Sequence, residues 1–195
     1  MYRVNEIFYS LQGEGFWTGR PAVFVRLSGC NLRCPWCDTD FRAFREMTAE
    51  SICEACINLT RDFIRSTNNG KILVVLTGGE PSLQADEALV EALHRAGFYV
   101  SIETNGTRPL PRGIDWITCS PKEGSKVILQ EADELKVVYT GHSPEPWREL
   151  IHACHYYLQP LADVQESNTS ATIQYIQQHP WWRLSLQTHK LTGIR

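Results

Sequence analysis

Three cysteines within eight residues stand out as groups able to hold a reactive metal: Cys30, Cys34 and Cys37, in the run Cys30-Asn31-Leu32-Arg33-Cys34-Pro35-Trp36-Cys37. A C-x3-C-x2-C loop is long enough to wrap one side of a cubane and give three thiolates to a four-iron, four-sulfur (4Fe-4S) cluster. Such clusters are normally held by four cysteines, so a set of three leaves one iron without a protein ligand. As with a catalytic zinc that keeps an open position, an open metal site is where chemistry can happen. A structural zinc site is the competing reading. It needs four ligands, usually Cys and His, and the nearest histidine in sequence is His94, so the fourth ligand has to be distant.

Other residues carry weaker signals. Asp38-Thr39-Asp40 follows the last cysteine; its hydroxyl and carboxylate oxygens suit Mg²⁺, or simply a solvated turn. Arg26 interrupts the apolar strand Pro21-Ala22-Val23-Phe24-Val25-Arg26-Leu27. A lone cation there is costly unless paired, so it meets either a salt-bridge partner or an anionic ligand. Cys53 and Cys56 form a C-x2-C pair, but both fall on the apolar face of a helix, where free cysteine behaves as a small hydrophobe. They read as core, as does the isolated Cys119.

Length and composition bound the architecture that positions these groups. A chain of 195 residues reads as one domain over 1–195, and a complete (β/α)8 barrel usually needs about 250, so a barrel-like chain of this length is a partial one. The apolar fraction of 43% and charged fraction of 21% are those of an ordinary folded protein. A net charge of −3 gives no electrostatic footprint for nucleic acid or an anionic membrane. No apolar run approaches the ~20 residues that span a bilayer, and the start lacks the apolar stretch of a signal peptide. With seven cysteines, an odd number, the chain fits a reducing, cytoplasmic compartment better than a disulfide framework.

The hydrophobic pattern places strands at 4–10, 21–27, 71–76, 98–102, 116–119, 135–139, 156–160 and 183–187. Helices are expected over 48–65, over 82–96 with Gly97 as cap, and from Ser143-Pro144 to about Ile151. A further helix starts at an Asn168 cap and stops before Pro180. Residues 106–113 are too short and too rich in Pro and Gly for a helix, so strand 116–119 follows without a helical crossover. Ile72-Leu73-Val74-Val75-Leu76 is apolar throughout, as in a strand buried on both faces of a parallel sheet. Polar loops fall at predicted strand carboxyl ends: 30–40, Thr77-Gly78-Gly79-Glu80-Pro81, Glu103-Thr104-Asn105-Gly106 and Ser120-Pro121-Lys122. That is the face where (β/α) barrels bind ligands. The expected fold is therefore α/β, a partial, open (β/α) barrel of about six parallel strands with few helices. Leu11-Gln12-Gly13-Glu14-Gly15 reads as a polar loop or a plain hairpin turn, and Trp181-Trp182 as an interface anchor or as core.

The cysteine spacing, with Trp36 before the last thiol, resembles the cluster motif of radical S-adenosylmethionine (SAM) enzymes, and Gly78-Gly79-Glu80-Pro81 resembles their SAM amino-group motif. Together with Leu11-Gln12-Gly13-Glu14-Gly15, Glu103-Thr104-Asn105-Gly106, Ser120-Pro121-Lys122 and Ser185-Leu186-Gln187-Thr188-His189-Lys190, they resemble the 7-carboxy-7-deazaguanine synthase family of the queuosine pathway over nearly the whole chain. The resemblance implies ring contraction of 6-carboxy-5,6,7,8-tetrahydropterin with loss of ammonia, using a 4Fe-4S cluster, SAM and Mg²⁺. It also implies a homodimer served by a flavodoxin-type electron donor. By position, Cys30, Cys34 and Cys37 hold the cluster and Thr39 ligates Mg²⁺. Gly79, Glu80, Glu103, Asn105, Ser120, Pro121 and Lys122 meet SAM. Leu11, Gln12, Gly13, Glu14, Arg26, Thr77, His189 and the terminal Arg195 meet the pterin. The rival readings are a radical-SAM activase that places a glycyl radical on a partner protein, and a zinc-stabilised binding module.

Overall fold

Alternating apolar residues make Tyr2–Leu11 (β1) and Pro21–Leu27 (β2) an antiparallel pair, with Leu11 opposite Pro21 and Phe8 opposite Phe24. The structure, a computed structural model, describes residues 1–64, 71–161 and 165–195. β2 then starts a parallel series through Leu73–Gly78 (β4), Tyr99–Thr104 (β5), Trp116–Cys119 (β6), Glu131–Tyr139 (β7), His152–Pro160 (β8) and the two-residue Arg183–Leu184 (β9). A three-residue strand, Arg45–Met47 (β3), pairs with the far edge of β1 and closes the order β3-β1-β2-β4-β5-β6-β7-β8-β9. The sheet is open and mostly parallel: six parallel strands of four or more residues plus β9, as the sequence suggested. The antiparallel β3 was not foreseen, because three residues carry no readable alternation.

Helices Ala49–Ile64 (α1) and Glu87–Arg95 (α2) cover one face of the sheet. Ile52, Cys53 and Cys56 of α1 and Leu89 and Leu93 of α2 pack with Val23, Val25, Val74, Leu76, Val100 and Ile102, all buried. Cys53 and Cys56 are thus core residues. The last residue expected in α1, Arg65, lies outside the described residues. α2 starts five residues later than expected. Pro81–Leu83 forms a separate 3-10 turn, and Asp86 caps the helix by accepting from the Leu89 N–H at 3.0 Å. Gly97 ends it at φ 88°, a left-handed conformation that favours glycine.

The loop from β5 to β6 carries no helix, as expected. Glu145–Leu150 (α3) and Gln165–Gln178 (α4) flank β8, and Thr188–Thr192 (α5) ends the chain. Asn168 is not the α4 cap. It lies inside the helix, and its side chain accepts from the Leu161 N–H at 2.7 Å. The final strand stops at Leu184 rather than at 187, because Ser185 and Gln187 turn toward the 12–15 loop. Trp182 is core and Trp181 is exposed. No described helix is long and apolar enough to cross a membrane.

Successive strand residues point to opposite faces, so the face away from α1 and α2 carries the alternate set. It is apolar at the amino ends, with Ala22, Leu73, Tyr99 and Trp116, and polar at the carboxyl ends, with Arg26, Thr77 and Glu103. Phe16 and Trp17 of the β1–β2 loop close the apolar end against Trp116, with ring centroids 4.7 and 5.0 Å away. The loop between Leu11 and Phe16 is thereby drawn along the inside of the sheet.

Candidate active site

β2 delivers the chain through Gly29 (φ 92°) into the cysteine loop. None of the seven cysteines is bridged; Cys30 and Cys34 are half-buried and Cys37 is exposed. A Cys37 N–H to Cys34 carbonyl bond of 3.2 Å turns the loop. Asn31 ties it to the end of β5, donating to Thr107 Oγ1 at 2.8 Å and accepting from Asn105 at 3.1 Å. Burial pushes the Cys30 thiol up, and that of Cys34 too, although the Lys122 ammonium pulls Cys34 back down. Among the described residues no three His, Cys, Asp or Glu side chains are grouped to hold a single ion. One tetrahedral zinc needs its ligand atoms within roughly 4 Å of each other, whereas cubane thiolates sit on separate irons. Three unbridged, partly exposed thiols on one loop suit a thiolate-held cluster.

The β4 end packs against this loop so closely that only glycine fits. A Cβ on Gly79 would lie 1.8 Å from the Gly29 carbonyl oxygen, and one on Gly78 2.3 Å from that of Leu27. Glu80 is buried and fully engaged: Oε1 accepts from the Ser82 N–H and from Thr104 Oγ1, and Oε2 from the Asn105 N–H at 2.7 Å. Its carboxylate thus fixes the ends of β4 and β5 relative to each other. At the end of β6, Lys122 Nζ donates to the Ser120 carbonyl and hydroxyl at 2.9 and 2.7 Å, and burial lowers its pKa. A cavity of about 390 Å³ lies between Lys122–Ser125 and the residues 32–36, including Cys34 and Trp36.

The 12–15 loop meets the polar inner end of the sheet. Gln12 donates to Glu103 Oε1 at 3.0 Å, and Thr77 Oγ1 lies 3.4 Å from Glu103 Oε2. Lys136 Nζ, on β7, sits 2.5 Å from Glu14 Oε2 and 3.6 Å from Glu103 Oε1. Burial works to strip Lys136 of its proton, but Glu103, Glu14 and Glu134 outweigh it and raise its pKa above the usual lysine value. Glu14 is the mirror case: burial opposes its charge, and Lys136 overrides this and lowers its pKa. Glu134 is left over, and burial lifts it to about 7 in spite of Lys136 and the Phe16 N–H it accepts from. Side chains crowd both loop glycines, and Gly15 also sits in the left-handed region at φ 66°. A Cβ on Gly13 would lie 2.3 Å from His189 Nδ1, and one on Gly15 2.0 Å from Glu134 Oε1.

Arg26 follows the salt-bridge branch of its sequence reading. Its Nε pairs with Glu6 Oε1 at 2.9 Å, across the β1–β2 register, and Arg195 pairs with Glu6 Oε2. Arg195 also stacks 4.9 Å over Phe8, and its terminal oxygen accepts from Ser10 Oγ at 2.7 Å. Of the residues singled out from sequence, Gln12, Gly13, Glu14, Thr77, Glu103 and His189 converge. Arg26 and Arg195 meet one another only through Glu6, Leu11 is exposed, and Thr39 lies half-buried beside Asp38, its Oγ1 3.3 Å from Asp38 Oδ1. Sequence reasoning missed Glu6, Glu134, Lys136 and Ser185. Lys136 carried the same signal as Arg26, a lone cation in an apolar strand.

The sequence model of the radical SAM superfamily matches residues 24–160. The 7-carboxy-7-deazaguanine synthase of Bacteroides thetaiotaomicron is 52% identical over 195 residues, covering all of both chains. That of Bradyrhizobium diazoefficiens is 44% identical, covering all of this chain and 99% of its own. The crystal structure of QueE from Escherichia coli superposes with a TM-score of 0.76 at 29% identity, covering 95% of this chain and 93% of that one. The chain therefore belongs to the radical SAM superfamily and, within it, to the 7-carboxy-7-deazaguanine synthase family.

Proposed function

We infer that this enzyme, a lyase, contracts the ring of 6-carboxy-5,6,7,8-tetrahydropterin to 7-carboxy-7-deazaguanine with loss of ammonia, on the route to queuosine. Full-length identity of 52% to a synthase of that name supports the reading. The observation that carries it in the structure is the docking of the 12–15 loop onto Glu103 and Lys136, at the same strand ends that present the cysteine loop. Family membership brings a 4Fe-4S cluster and SAM, which together supply a 5′-deoxyadenosyl radical when bound.

The chain's own residues hold, orient and seclude. Cys30, Cys34 and Cys37 would hold the cluster. Gly79, whose missing side chain lets the β4 end pack on Gly29 beside the cysteine loop, would meet SAM with its backbone, and Glu80, Glu103, Asn105 and Ser120 to Lys122 would complete that wall. Leu11, Gln12, Gly13, Glu14, Thr77 and His189 would line the pterin. Arg26 would exchange Glu6 for the substrate carboxylate, a charge-assisted and geometrically specific contact, with Arg195 beside it. Thr39 would give its hydroxyl to Mg²⁺, whose place on substrate oxygens would stabilise developing charge. We further propose one domain, a homodimer, a flavodoxin-type donor and a cytoplasmic location.

The test is anaerobic. The reconstituted, reduced enzyme is given SAM, Mg²⁺ and 6-carboxytetrahydropterin, and mass spectrometry is expected to find a carboxylated 7-deazaguanine. Release of 5′-deoxyadenosine with no deazapurine would refute the substrate assignment and favour the activase reading. Undiminished turnover without any divalent ion would remove the Mg²⁺ role alone.

A further inference from the structure

Two loops that have to act on one reaction are joined by a third segment. Gln187 Nε2 donates to Glu14 Oε1 at 2.8 Å and reaches Asp38 Oδ2 at 3.4 Å. Lys190 Nζ pairs with that same Asp38 oxygen at 2.6 Å. Thr188 holds the other side, its N–H and hydroxyl both donating to the Gly13 carbonyl, at 3.0 and 2.9 Å. Three residues of the segment 187–190 therefore grip the pterin loop at Gly13 and Glu14 and the cysteine loop at Asp38, next to Cys37. The Lys190–Asp38 pair is 36% and 48% exposed, and ion pairs of that exposure contribute little to stability. Two donors converging on one oxygen fix a direction and a distance instead.

We propose that Lys190 is a positioning residue: through Asp38 and Gln187 it sets the separation of the pterin loop from the cysteine loop, and so keeps SAM cleavage coupled to substrate turnover. The proposal rests on the reaction assigned above. Near-attack geometry is unforgiving, since a misplacement of about 1 Å can cost roughly 100-fold. Loosening the segment is expected to separate the loops without unfolding either.

The test pairs Lys190→Gln, which removes the charge, with Lys190→Arg, which keeps it. In metal-free protein, hydrogen–deuterium exchange at the Thr188 amide reads docking of the segment with no cofactor involved. It is expected to be about fivefold faster in Lys190→Gln, from more frequent local opening, and restored in Lys190→Arg. In reconstituted enzyme with dithionite as reductant, 5′-deoxyadenosine released per deazapurine is expected to rise about threefold in Lys190→Gln. Asp38→Asn combined with Lys190→Gln should add nothing to the effect of Lys190→Gln alone on Thr188 exchange, because the two share one interaction. Unchanged Thr188 exchange, or faster exchange with an unchanged product ratio, overturns the proposal. If wild-type enzyme forms no deazapurine, the assigned reaction falls, and the exchange measurement alone decides whether Lys190 docks the segment.

Discussion

The two faces of the parallel strands are built from alternate residues of the same segments and obey different chemistry. On the face toward α1 and α2, Val23, Val25, Val74, Leu76, Val100 and Ile102 are fully buried against apolar partners. Those contacts are non-directional, and their strength follows the area removed from water. On the opposite face the carboxyl ends gather Glu14, Glu103, Glu134 and Lys136, three carboxylates around one ammonium. There each group depends on a named partner at a fixed distance. The first face holds the fold together, and the second shapes what the fold can bind. Substitutions should therefore separate stability from activity according to which face they touch.

The largest expected effect falls where neither face is involved. Replacing Cys30, Cys34 or Cys37 by Ala should abolish product formation and bound iron together, yet leave the urea unfolding midpoint of the metal-free protein unchanged. These thiols are only half-buried or exposed and belong to none of the apolar clusters. A lost fold in the metal-free variant would show that the loop is part of the core after all.

Lys136→Met and Leu76→Ala form the direct contrast between the faces. Lys136 has a side chain only 6% exposed, and removing one partner of a buried pair typically costs about 3–5 kcal/mol because the other charges stay buried unpaired. Leu76→Ala should cost a similar amount, about 2–5 kcal/mol, from lost burial and a cavity. Activity tells them apart: below its unfolding temperature the Leu76 variant should keep its KM for the pterin, and the Lys136 variant should lose substrate binding as Glu14 loses its anchor and Glu103, which holds Gln12, loses its counter-charge. Equal kinetic damage in both would erase the distinction.

The same contrast decides what was legible in the sequence. Strand β2 was readable to the residue and β4 and β5 nearly so, because apolar runs bounded by glycine and charge depend only on near neighbours. The start of α2 was read at Ser82 instead of after Asp86 because Ser82 and Asp86 both suit a helix amino end, and the Glu80 contacts that commit 81–83 to a separate turn come from the end of β5, far along the chain. The three thiols announced themselves by spacing. The cluster around Lys136 did not, since its members come from positions 14, 103, 134 and 136, and only the folded sheet brings them together. Ser185, which donates to Gln159 Oε1 at 3.0 Å and accepts from the Gly15 N–H, was hidden for the same reason.

Glu134 gives the smallest and most specific test of the inner face. Its carboxyl, 2% exposed, is raised from the ordinary 4.5 to about 7, chiefly by burial, with the Glu103 and Glu14 charges adding to it. A carboxyl whose folded pKa is raised binds its proton more tightly in the native state than in the unfolded one. It therefore imposes nothing below about pH 4.5, where both states are protonated, and stability falls as pH rises from there through about 7. At about 1.4 kcal/mol per pH unit, the rise is worth roughly 3 kcal/mol above pH 7. Glu134→Gln keeps an oxygen for the Phe16 N–H and removes the charge. It should be more stable than wild type by up to about that amount at pH 8, with the advantage shrinking to nothing by pH 4.5. Urea unfolding at pH 4.5, 6, 7 and 8 reads the difference directly. A gap independent of pH would mean that Glu134 keeps one protonation state throughout, with Lys136 holding it charged as firmly as it holds Glu14.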